Sequence, residues 1–155
     1  MLKTLPHAIV CLALFALLPS LATAEDESEK DLKKMAGDWV AVSMQLNGKK
    51  QPEATIKAIR LTITGDKYNT VVGEEKDEGT LKIDATKTPK EMDITMSQGE
   101  NKGKVILCIY ELKGNELKVS YAFNGTPRAT DFKPGEDGKS VIMLITYKRA
   151  PKSKR

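Results

Sequence analysis

The fold this sequence predicts is an all-β, antiparallel, up-and-down barrel of about eight strands. Three observations carry it. From Trp39 onward, apolar residues recur with a period of two. Turn signals built on Gly, Asn, Asp and Pro interrupt that alternation about every 10–15 residues, and almost no stretch shows helical spacing. Short consecutive hairpins favour a closed barrel over a sandwich, because a Greek key requires a long crossover.

Each element follows from its pattern. Residues 30–37 form a short helical turn with Leu32 and Met35 on one side. In the first strand Val40, Val42, Met44 and Leu46 alternate with Ala41, Ser43 and Gln45, which leaves Trp39 on the opposite parity and suggests a place at the barrel end. Asn47-Gly48 is a hairpin signal, since both positions tolerate positive φ. A connection through Pro52, with one helical turn over 53–57, leads to a strand over 59–64 with Leu61 and Ile63 inward. Gly65-Asp66 turns into a short strand over 68–72. Residues 73–77 read as a charged loop and 78–84 as the next strand. Met92, Ile94 and Met96 mark another. Residues 104–112, the most apolar run, read as a strand covered on both faces. Gly114-Asn115 turns into Leu117, Val119 and Tyr121. A loop at 124–127 precedes the closing strand, with Val141, Met143, Ile145 and Tyr147 on one face.

The first 24 residues read as a signal peptide. Lys3 precedes an apolar run over 8–18, and Ala22-Thr23-Ala24 is a small-x-small cleavage site. The run is too short to span a bilayer, which takes about 20 residues, and no other stretch predicts a transmembrane segment. The expected location is periplasmic or extracellular. Removing 24 of the 155 residues leaves 131 and a charge of +3, and takes His7 and Cys11 with it. The expected organisation is an acidic leader over 25–36, a barrel domain over 37–149 and a basic tail over 150–155. The five basic residues Lys148, Arg149, Lys152, Lys154 and Arg155 account for most of the high pI.

Composition excludes several chemistries. Beyond residue 24 there is no His, so Ser-His catalysis and Cys/His zinc sites are excluded, and Cys108 alone cannot form an intramolecular disulfide. Cys108 reads as a buried small hydrophobe. No metal site or cofactor is expected. Residues 135–140 lack the first glycine of a phosphate loop. Glu74, Glu75, Asp77 and Glu78 lack EF-hand spacing and read as a solvated hairpin loop. No basic, aromatic-studded face predicts nucleic-acid binding.

Gly37-Asp38-Trp39 at the start of the first strand resembles the G-x-W signature of the lipocalin superfamily, with Arg149 matching the basic residue that packs across that Trp. The resemblance implies that Gly37, Trp39 and Arg149 close one end of the barrel. A wider resemblance covers nearly the whole chain beyond the leader. It runs through Gly37–Ser43, Asn47-Gly48-Lys49, Leu61–Ile63, Gly65–Tyr68, Glu78–Asp84, Asn101–Lys104, Ile109–Leu112, Leu117–Ala122, Arg128 and Asp131-Phe132. These segments are similar to an uncharacterised family of small exported domains abundant in planctomycete bacteria. That resemblance implies a lipocalin-like fold and export, and it carries no catalytic residues.

The candidate ligand-binding residues are Trp39, Tyr110, Tyr121, Phe123 and Tyr147, rings on or near the strands. The sequence favours two readings over a third, a carboxylate-only enzyme, to which no constellation of residues points. In one, the chain is a non-enzymatic domain that binds a small apolar or amphiphilic ligand. In the other, the rings fill the interior and the chain is an envelope-associated protein-interaction module.

Overall fold

The computed structural model describes residues 23–133 and 140–151. The apolar run of the expected signal peptide, residues 135–139 and most of the basic tail lie outside the described residues. Among the described residues, no helix is long and apolar enough to cross a membrane.

The strands are β1 (Gly37–Leu46), the two-residue β2 (Lys49–Lys50), β3 (Ile59–Thr64), β4 (Lys67–Val72), β5 (Glu75–Asp84), β6 (Lys90–Met96), β7 (Val105–Lys113), β8 (Glu116–Phe123) and β9 (Val141–Arg149). The helices are α1 (Ala24–Met35) and α2 (Glu53–Ala58). Every strand pairs antiparallel with its neighbour in the order β1-β3-β4-β5-β6-β7-β8-β9, and β1 pairs with β9 to close the sheet. The result is an eight-stranded up-and-down barrel of lipocalin-like design, with β2 as an appendage on β1. Closure leaves no long edge exposed.

Connectivity defines two ends. The turns after β3, β5 and β7 lie at one end, together with α1. The turns after β1, β4, β6 and β8 lie at the other, together with α2. Asn47 and Gly48 both adopt positive φ (46° and 76°), as the hairpin signal requires. Asn47 also ties the β1 turn to β9. Its backbone N–H donates to the Ile142 carbonyl, and its Oδ1 accepts from the Ile142 N–H at 2.8 Å.

The acidic leader forms helix α1, with Glu25, Asp26, Glu27 and Glu29 exposed and Asp31 buried. Thr23 Oγ1 accepts from the Asp26 N–H at its start. Glu25, Asp26 and Glu27 occupy the first turn, and Lys33 and Lys34 the last, as the helix dipole favours. Met35 is fully buried and Leu32 packs against the barrel core. Sequence spacing located only the second half of this helix, residues 30–35.

The parity of β1 also differs from expectation. Trp39 and Ala41 point inward. The ladder to β9 then shifts register between Ala41 and Ser43, leaving Val42 as the extra, 45 % exposed residue of a bulge. Beyond it Met44 faces the interior. One inserted residue thus puts Trp39 and Met44 on the same face despite their opposite parity, and Val40 and Val42 leave the inward set.

The strand after β4 starts earlier than its charges suggest. The turn is Gly73-Glu74, and Glu75–Asp77 are already paired with β4. The expected double cover of β7 is present. Cys108 and Tyr110 are buried inside, and Ile109 is buried on the opposite face. There Arg128 donates to the carbonyls of Met92 (3.1 Å) and Cys108 (2.7 Å) and to Asp93 Oδ1 (2.6 Å).

Candidate functional site

The two barrel ends are built differently. At the α1 end, Trp39 is fully buried and its Nε1–H donates to the Met35 carbonyl at 2.8 Å. The Arg149 guanidinium lies 4.3 Å from the ring centroid. It donates to the Ala36 carbonyl at 2.7 Å and also to the Lys34 carbonyl, meeting the free carbonyls at the C-terminus of α1. Gly37 sits at φ 120°, and a Cβ there would stand 2.9 Å from Arg149 Nη1. Gly37, Trp39 and Arg149 therefore meet at one end of the barrel, in the arrangement that the G-x-W resemblance implies.

Asp31 completes this plug. It is 5 % exposed, accepts from Tyr110 Oη at 2.9 Å and pairs with Lys90 Nζ at 2.6 Å. Burial and the Asp31 bond push the Tyr110 phenol well above its ordinary value. Tyr110 and Trp39, both candidate ligand contacts by sequence, thus belong to the sealed end. Neither lines the interior space.

That space is an apolar cavity of about 190 Å³ in the barrel. It reaches the far ends of the strands at Val72, Met96 and Phe123, and α2 borders it through Thr55. Of the sequence candidates, Tyr121, Phe123 and Tyr147 line it. Tyr121 and Phe123 stack at 6.1 Å between centroids, and the hydroxyls of Tyr121 and Tyr147 bond to each other at 2.9 Å. Burial raises both phenols well above the ordinary tyrosine value. Four of the six methionines, Met44, Met92, Met96 and Met143, also line the cavity. Thioether side chains adapt their shape to an occupant more readily than branched ones.

Sequence reasoning missed a hydrogen-bonded polar pair in the lining, Tyr68 and Asp77. Asp77, assigned to a solvated loop, lies in β5 and faces the cavity, where its Oδ2 accepts from Tyr68 Oη at 2.8 Å. Tyr68 is held in place by Gly79, directly opposite it on β5. A Cβ at Gly79 would fall 2.9 Å from the Tyr68 ring and 2.0 Å from the Thr95 carbonyl oxygen, so only glycine lets the ring and β6 approach this closely. The available signal was Tyr68 and Gly79 on strands joined by a tight turn, the pattern of an aromatic laid over a cross-strand glycine.

Cys108 is completely buried, and burial pushes its thiol far up, which makes it an inert packing residue. Phe132 lies outside the barrel, beside the Lys118 ammonium at 5.6 Å. The chain matches no protein-family model, and comparison with curated proteins and with solved structures returned no significant match.

Proposed function

We propose that this chain is an exported, non-enzymatic, lipocalin-like domain that holds one small apolar or amphiphilic molecule inside its barrel. The supporting observation is the cavity of about 190 Å³ at the end opposite the plug. A side-chain-filled interior would have no such space. An apolar cavity of about 150 Å³ suffices for benzene, so the expected occupant is a ring or short chain of under about ten heavy atoms. The rim supports an apolar ligand as well, since Leu46, Val72 and Val105 are exposed apolar residues near the strand ends that surround it. Export is supported by the leader pattern over 1–24. The lining offers one carboxylate, Asp77, and no second carboxylate to complete the acid–base pair of a glycosidase-type site, which favours binding over hydrolysis.

Burying seven carbons at about 0.8 kcal/mol each gives about 5.6 kcal/mol, or a Kd on the order of 0.1 mM for toluene. Native mass spectrometry of the protein from its own source, before and after unfolding, tests for a carried ligand. A toluene titration followed by the melting temperature tests the cavity itself. The expected result is a mass excess lost on unfolding, or a saturable rise in melting temperature. A bare mass together with no response to millimolar toluene would overturn the reading.

A further inference from the structure

Asp77 is the single charged residue among those lining the cavity. Among the described residues it takes part in no ion pair, whereas the buried Asp31 has Lys90 at 2.6 Å. One of its oxygens accepts from Tyr68 Oη, whose ring is fixed over Gly79. The other has no hydrogen-bond partner among the described residues. The opposite residue on β4, Thr70, also faces the cavity and is uncharged. Asp77 is half-buried near the mouth, where β5 begins, so its second oxygen is left to water and can meet a cation or strong donor that enters the cavity. Its burial-raised phenol keeps Tyr68 a neutral donor, so that residue orients the carboxylate without balancing its charge.

We propose that the cavity selects molecules carrying a protonated amine on a small apolar body, with the Asp77 carboxylate as the anchor of the ammonium group. The ring or chain then occupies the space among the methionines and Phe123. The inference rests on the cavity-binding reading above and adds the charge of the ligand to it.

The test uses three probes of similar size, benzylamine, toluene and benzoate, titrated calorimetrically into the whole chain and into Asp77→Asn. For the wild-type chain, benzylamine is expected to bind at least tenfold tighter than toluene, and benzoate more weakly than either. Asp77→Asn should abolish the benzylamine preference while keeping toluene affinity within about threefold, with an unchanged circular dichroism spectrum. The comparison within the wild-type chain stands even if the variant misfolds. Toluene binding with no preference for the amine would overturn the amine selectivity and leave the cavity reading intact. Preference for benzoate, or amine preference surviving in a folded Asp77→Asn, would also overturn it. Absence of binding by all three to a protein whose native mass is bare would overturn both readings.

Discussion

Alkali is expected to unfold this barrel through its tyrosines. The chain has four, Tyr68, Tyr110, Tyr121 and Tyr147, and none is more than 9 % exposed. In each, burial is the main cause of a phenol raised above its ordinary value near 10. Hydrogen bonds to Asp77 and Asp31 add to the rise at Tyr68 and Tyr110, and the nearby Tyr147 hydroxyl adds at Tyr121. At Tyr147 the bond from Tyr121 works against burial without overcoming it. In the unfolded chain all four phenols ionise near pH 10. The folded chain keeps its protons there, so above that pH the unfolded state binds fewer protons and stability falls as pH rises. The tyrosine contribution is fully present below about pH 10 and is lost above it. Each residue costs about 1.4 kcal/mol per pH unit once its unfolded form is ionised, so four cost about 5–6 kcal/mol per unit. A domain holds about 5–15 kcal/mol in total, so about one to three pH units should suffice. Urea unfolding between about pH 8 and 11, with tyrosinate absorbance read in parallel, checks this. Phenolate should appear only as the far-ultraviolet dichroism collapses. Ionisation near pH 10 in a protein that keeps its dichroism would refute the reasoning.

Three substitutions probe the remaining structural arguments. Asp31→Ala leaves the buried Tyr110 hydroxyl unpaired, at about 1–3 kcal/mol, while Lys90, 37 % exposed, regains water. A loss of about 2–3 kcal/mol in urea unfolding is expected, partly restored by adding Tyr110→Phe, and a neutral Asp31→Ala would contradict the buried contact. Gly79→Ala sets a methyl 2.0 Å from a backbone oxygen, so β5 and β6 must separate. It should cost about 3 kcal/mol or more, and a wild-type melting temperature would refute the close approach. Arg149→Ala removes a cation–π contact of about 1 kcal/mol and two hydrogen bonds of about 1 kcal/mol each. Stability should fall by about 2–3 kcal/mol and the emission of Trp39, the sole tryptophan, should shift to the red. Unaltered emission and stability would dismiss the plug.

Strand positions were legible because an inward face and a solvated face alternate strictly along β3 and the second half of β5, and inward apolar residues recur every second position along β6. Composition could not reveal the Val42 bulge, because one extra residue changes parity without changing residue type. Asp31 and Asp77 hid for a related reason. Each sits in a run of acidic residues that ordinarily reads as solvated, and each is drawn in by a tyrosine hydroxyl that only the folded chain brings near. The partner of Asp31 is 79 residues away. The aromatic candidates divided between the two ends because residue type signals burial without depth. Tyr110 and Tyr121 lie on paired strands, yet one seals the plug and the other lines the cavity.

The chain enters the barrel through α1 and leaves it at Arg149, which touches the carbonyls of Lys34 and Ala36, while the Ala150 N–H bonds to the Asp38 carbonyl at 2.9 Å. Entry and exit therefore share the sealed end. An attachment made where the chain enters or leaves the barrel, whether to a surface, an affinity support or a fused reporter, leaves the cavity pointing outward. The same proximity makes the molecule suited to circular permutation. A short linker could join the start of α1 to Ala150 there, and a new opening could be cut into the Gly99–Gly103 turn at the mouth, so that a permuted version would present its cavity toward the support instead of away from it.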